Sequence, residues 1–181
     1  GSVKCWGDNE YGQLGNGSTT DSLTPVVVSG ISNATQIIAG RIHSCALISG
    51  GSVKCWGRNE AGSLGDGTTT VRTSPVSVSG LSGVSDLAAG SGMTFARLSD
   101  GTVKGWGLTL HGRLGNNNDS TNQLTPVSIS GITGATQISS FSQSGCVVIS
   151  GGNIKCWGRN DHGQLGTTDT DDRLTPTQIG E

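Results

Sequence analysis

The sequence is poor in charge, in proline and in aromatic residues, and it has no long apolar run. Charged residues make up 13% of the 181 positions and nearly balance, leaving a net charge of −2. Binding to a nucleic-acid backbone calls for a basic patch or stripe, and this balance gives no electrostatic case for one, so no nucleic-acid partner is expected. The longest apolar runs, such as Val26-Val27-Val28 and Ile37-Ile38-Ala39, are far too short to cross a bilayer. The opening Gly1-Ser2-Val3-Lys4-Cys5-Trp6 has neither a charged segment nor an apolar one behind it. For an exported parent, a signal peptide is therefore expected upstream of this chain. Nowhere do positions i, i+3, i+4 and i+7 stay apolar over a window of about eleven residues, which removes amphipathic helices. Also missing are a G-x-S-x-G elbow, an H-E-x-x-H pair, a P-loop and paired carboxylates in apolar surroundings. The expectation is a protein that is not an enzyme and holds no metal and no cofactor.

What is abundant is glycine, with 31 residues, set among serine, threonine and short β-branched runs. That mixture reads as many short strands joined by tight turns. The scarce residues are not scattered. The four tryptophans, Trp6, Trp56, Trp106 and Trp157, are spaced by 50, 50 and 51 residues. The four prolines, Pro25, Pro75, Pro126 and Pro176, are spaced by 50, 51 and 50. Around the tryptophans the text repeats: GSVKCWGDNEYGQLG from Gly1, GSVKCWGRNEAGSLG from Gly51, GTVKGWGLTLHGRLG from Gly101 and GNIKCWGRNDHGQLG from Gly152. Two further stretches recur, typified by Ala34–Gly40 and His43–Ile48. Four short strands per period of about 50 residues is the arithmetic of a propeller blade.

The pattern WG-x-N-x-x-G-Q-L-G, followed by a Thr-Pro strand, an Ala-Gly strand end and an H-S-x-A-L strand, resembles the regulator-of-chromosome-condensation repeat. The likeness covers essentially the whole chain. It implies an all-β propeller of four-stranded blades, commonly seven in this family. It says less about function, because one scaffold hosts many activities. Members include a guanine-nucleotide exchange factor that also binds chromatin, a plant light receptor, modules of ubiquitin ligases and secreted bacterial inhibitors of β-lactamase. The exported bacterial type is the branch expected here.

The cysteines point to that branch. Cys45 and Cys55 are ten apart, as are Cys146 and Cys156, while the intervening repeat has Phe95 and Gly105 at the same two positions. The two cysteines are kept together or lost together. Between Cys45 and Cys55 lies the turn segment Ser49-Gly50-Gly51. A three-residue hairpin loop centred on Gly50 sets 45 opposite 55, 46 opposite 54 and 48 opposite 52. Directly opposed Cα atoms lie about 4.5–5.5 Å apart, within reach of a disulfide. Disulfides Cys45–Cys55 and Cys146–Cys156 are therefore expected, and with them an oxidising, extracellular or cell-surface location. Cys5 matches Cys55 and Cys156, but its partner would fall ten residues earlier. It is either a free thiol or the sign of a truncated pair.

The hairpin fixes the blade frame. Residues 1–181 form a single propeller segment, with a half blade at 1–30 and blades at about 34–80, 84–130 and 135–180. Three and a half blades do not close a ring. The chain is expected to belong to a longer parent or to self-associate, and a seven-bladed ring is expected of either.

Candidate sites follow from what the repeats keep and what they vary. Trp6, Trp56, Trp106 and Trp157 sit mid-strand in every repeat and are expected to be packing core between blades. His43 gives way to Met93 and Ser144, so packing suits it better than catalysis. The acidic loop Thr167–Asp172 lacks the ligand spacing of a calcium loop. The freely varying positions are Asp8/Arg58/Leu108/Arg159, Tyr11/Ala61/His111/His162 and the loops behind them. A repeat keeps what folding needs and frees what binding can use. Tyr11, Arg58, Leu108, His111, Arg159 and His162 are the expected binding surface. The function expected is a secreted or surface-displayed module that binds another protein. A structural repeat of a large surface or fibre protein, a glycan-binding propeller and a nucleotide exchange factor stand as alternatives.

Overall fold

Short β-branched runs broken by glycine every few residues satisfy their backbone groups by pairing as antiparallel hairpins, and this chain does so throughout. The computed structural model describes residues 1–180. Strands β1 (Lys4–Gly7) and β2 (Ser22–Val27) form a two-stranded sheet. Three four-stranded sheets follow. The first runs β3 (Ala34–Ala39), β4 (His43–Ile48), β5 (Ser52–Gly57) and β6 (Arg72–Ser77). The second runs β7 (Val84–Ala89), β8 (Met93–Leu98), β9 (Val103–Gly107) and β10 (Gln123–Ser128). The third runs β11 (Ala135–Phe141), β12 (Ser144–Ile149), β13 (Ile154–Gly158) and β14 (Arg173–Ile179). Within each sheet the strands lie in sequence order and pair antiparallel. This is the up-and-down blade of a propeller.

The β4–β5 hairpin has the register read from the sequence: Cys45 faces Cys55, Ala46 faces Lys54 and Ile48 faces Ser52. Gly50 and Gly51 carry φ of +96° and +80° at its turn, a conformation that side chains with a Cβ resist. Both expected cysteine pairs stand at disulfide distance, each with Cα atoms 4.1 Å apart. In the middle blade Phe95 faces Gly105 in the same register. A Cβ on Gly105 would come within 3.0 Å of the Phe95 ring. The ring occupies the space of the missing partner and meets Trp157 edge-on at 5.5 Å. An aromatic–glycine pair thus replaces a cysteine pair as a unit, which explains why both cysteines vanish together.

Apolar surface is buried where one blade lies against the next. One cluster joins Cys45, Leu47 and Leu64 to Leu87, Ala96 and Trp106 of the following blade. Another joins Met93, Phe95 and Leu114 to Ile138, Val147 and Trp157. The junctions share one polar device. The indole Nε1 of Trp56 donates to the Gln13 carbonyl, that of Trp106 to Ser63 and that of Trp157 to Arg113, at 2.9, 2.9 and 3.1 Å. Each acceptor belongs to the loop of the preceding repeat. Two residues beyond each acceptor is a glycine with φ of +68°: Gly15, Gly65 or Gly115. A Cβ there would lie 2.7 to 2.8 Å from the indole ring.

Trp6 departs from the expected core role. It is 63% exposed, whereas Trp56, Trp106 and Trp157 are fully buried. Its indole belongs to the first repeat of the chain, and no earlier loop lies over it among the described residues. Trp106→Ala should therefore cost about 3–5 kcal/mol through lost packing and the cavity left behind. Trp6→Ala should cost about 1 kcal/mol or less, as at other exposed positions. Urea denaturation of the two variants checks the difference.

Candidate functional site

The loop after each tryptophan is where the repeats differ, and its shape is fixed from inside. Asn9, Asn59 and Asn160 are fully buried. Each Oδ1 accepts the backbone N–H of Leu14, Leu64 or Leu165 at 2.9 Å. Each Nδ2 donates to a carbonyl farther along the loop, Ser18, Thr68 or Asp169, at 3.0 Å. One amide therefore closes the loop at both ends, and the outward side chains are not needed for its shape. The sequence signal for these residues is the Asn of WG-x-N, present in three of the four repeats. In the third repeat Thr109 stands in its place. That loop adopts a turn of 3-10 helix at Leu110–Gly112, and Asp119 Oδ1 accepts the Gly112 N–H at 3.1 Å.

The expected surface residues fall into three groups. Arg58 lies over the Tyr11 ring, 4.9 Å from its centroid, and is paired with Glu60. Arg58 and Leu108 line one cavity of about 360 Å³, together with Arg41, Glu60, Arg113 and Gln143. Arg159 and His162 line a second of about 280 Å³ beside Phe141. Asp161 pairs with both Arg159 and His162. Hydrogen bonds from His162 first, then Gln164 and Arg159, hold its carboxyl at a pKa of about 2. His111 stands apart. It has φ of +65° and its Nδ1 is 2.9 Å from Asp172 of the next repeat. Asp172 also accepts the Asn160 N–H, so His111 braces a loop.

Side chains that sequence reasoning passed over complete the rim. The turns after β3, β7 and β11 converge on a third cavity of about 520 Å³, where Arg41, Ser91 and Gln143 meet. Phe141 is 84% exposed there, at the position of Gly40 and Gly90. That substitution was a signal in the sequence. In the acidic loop, Asp169 pairs with Arg173 at 2.6 Å and caps the Asp171 N–H. Among the described residues no cluster of histidine, cysteine and carboxylate groups is arranged to hold a metal ion.

His43 is buried inside the ring of contacts. Its Nε2 lies 2.9 Å from the Thr94 hydroxyl, which donates to the same Ser63 carbonyl that receives Trp106. Packing, the role expected for it, is where the structure places it.

The family model for the regulator of chromosome condensation (RCC1) repeat matches residues 1–47, 50–97 and 151–181. The chain belongs to this family. The unmatched stretch holds Gly105, Leu108 and Thr109, the departures of the third repeat, yet it forms the same blade. Among solved structures, yeast RCC1 (Prp20) with Kap60 bound is 20% identical over 100% of this chain and 45% of its own, with a TM-score of 0.88. Human WBSCR16 is 24% identical over 97% of this chain and 46% of its own, with a TM-score of 0.83. Prp20p from Saccharomyces cerevisiae, described with its binding to Gsp1p and histones, is 20% identical over 100% and 47%, with a TM-score of 0.88. These likenesses show the RCC1 propeller fold. The chain spans less than half the length of the structures it matches.

Burial lowers the His43 pKa to about 4. The unfolded chain takes up this proton near the ordinary histidine value, well before the folded chain does. Stability from this group is therefore present above about pH 6.5 and is lost as pH falls toward 4, by roughly 3 kcal/mol in full. His43→Met, which installs the residue of the next repeat, should remove that part of the pH dependence. Urea midpoints at pH 7 and pH 4 for both proteins measure it.

Proposed function

We propose that this chain is part of a non-enzymatic, secreted or cell-surface RCC1-type propeller that binds another protein through the rim built by its tryptophan loops. The observation that carries this reading is the division of labour in those loops. Backbone carbonyls, buried asparagines and glycines hold their shape, and the outward residues change from repeat to repeat. Tyr11, Arg58 and Leu108 are thereby free for recognition, as are Arg159 and His162 beside the second cavity.

The two cysteine pairs support an oxidising compartment. They speak against the cytosolic or nuclear setting of a nucleotide exchange factor. Glycan binding on a ring of tryptophans loses its platform, because Trp56, Trp106 and Trp157 present no face to solvent. Without a partner, the chain would be a purely structural repeat of a larger assembly.

Two measurements test the proposal. In the protein purified from its native compartment, Cys45, Cys55, Cys146 and Cys156 should resist thiol alkylation until reductant is added. Alkylation of all four without reductant would place it in a reducing compartment. Immobilised chain should retain a specific protein from its surroundings, and Tyr11→Ala/Arg58→Ala should weaken that retention roughly tenfold or more, as removal of a central aromatic–arginine anchor does. Retention equal in the variant would place recognition elsewhere.

A further inference from the structure

The guanidinium of Arg113 has no business in the fold. Its repeat equivalents are Gln13, Ser63 and Gln164. What the fold uses at this position is the backbone carbonyl that receives the next tryptophan. In the other repeats the side chain turns back into its own loop: Gln13 and Gln164 accept the N–H of Tyr11 and His162, and Ser63 donates to the Arg58 carbonyl. Arg113 instead reaches across to the next blade, and it is 8% exposed.

No carboxylate pairs with it directly there. Nη2 donates to Gln143 Oε1 at 2.7 Å and Nη1 to the Ser91 carbonyl at 3.4 Å, while Nε meets no acceptor. The same Gln143 oxygen takes Arg159 Nη1 at 3.2 Å, so one neutral amide serves two cations. Among the described residues neither Arg113 nor Arg41 is in an ion pair, although both line the 360 Å³ cavity. Arg58 on the same wall is already held by Glu60. Burying a guanidinium without a directly paired counter-charge is costly: burial, and after it Arg159, lower the Arg113 pKa, and Asp172 opposes them only in part. A chain of net charge −2 has here a local surplus of positive charge facing a cavity.

We infer that this cavity is an anion-binding site that receives the carboxylate of an aspartate or glutamate side chain projecting from a protein partner. The planar fork of a guanidinium matches a carboxylate with two parallel N–H donors. Glu60 on the cavity wall favours a single negative charge over a dianion. The volume, near the lower end for ligand pockets, suits one or two side chains. The inference rests on the rim-binding reading and specifies the partner's chemistry: an acidic segment, anchored by Arg113 with Arg41 at the mouth.

The test is fluorescence anisotropy with labelled hexaglutamate and hexaglutamine peptides at low ionic strength. Hexaglutamate should bind and hexaglutamine should not. Arg113→Gln and Arg113→Ser carry residues that other repeats hold at this position, so both should fold. Each should weaken hexaglutamate binding roughly tenfold or more, as loss of a buried charged partner does. Arg173→Gln, remote from the cavity and already paired with Asp169, should leave binding unchanged. In the unmutated protein the Arg113 Nε–H resonance should move on titration with acetate. Equal binding by the Arg113 variants, binding of hexaglutamine, or an unmoved resonance would overturn the inference. Inorganic phosphate competing roughly tenfold better than acetate would also overturn it, in favour of a phosphate site. Should partner retention fall in Tyr11→Ala/Arg58→Ala while peptide binding ignores Arg113, the carboxylate site is wrong and the rim reading stands. Should peptide binding depend on Arg113 with no protein retained, the rim reading is wrong.

Discussion

Everything in this chain is hung on one hydrogen bond, the indole N–H of one repeat donated to a backbone carbonyl in the loop of the repeat before it. A buried tryptophan brings the largest apolar area a side chain can offer, and its single polar atom must find a partner. The preceding loop supplies the partner at Gln13, Ser63 and Arg113. From this follow the glycine two residues on, which must leave room for the ring, and the buried asparagine that holds the loop in place. The blades are thereby joined by a contact that depends on main-chain atoms and a few fixed side chains. Apart from His111, which braces the next loop, the outward positions are released from structural duty, which is the physical basis for reading them as a binding rim.

The third repeat shows how little that contact demands. It has lost both cysteines, the loop asparagine and the match to the family pattern. Phe95 fills the space over Gly105, and Asp119 ties down a loop that turns as a 3-10 helix. The tryptophan, its carbonyl and the glycine against its ring remain. It is also the repeat that carries Leu108, Arg113 and, at the following turn, Gln143, the side chains that set its rim apart.

The fold was legible because a repeat states its own equivalences. Trp6 to Trp157 and Pro25 to Pro176 mark the period, and the joint loss at Phe95 and Gly105 betrays the cysteine pairs without any second sequence. The exposure of Trp6 was not legible, because equivalence in sequence does not show which indole has a loop packed over it. Half of the rim was likewise hidden. Arg41, Arg113 and Gln143 come from a strand turn, a tryptophan loop and a strand turn of three successive repeats, and only the curvature of the propeller brings them to one cavity. Arg113 could have been noticed as the one charged residue among Gln13, Ser63 and Gln164. His111 stood among the varying positions yet braces Asp172, because a variable residue can also be recruited to hold its neighbour's loop.

The contact on which the structure depends can be observed directly as hydrogen exchange at the four indole Nε1–H groups by NMR. The indole protons of Trp56, Trp106 and Trp157 should be strongly protected and that of Trp6 should exchange at close to the rate of free indole. Equal exchange at all four, or protection at Trp6 with rapid exchange at Trp106, would contradict the account of how the blades are joined.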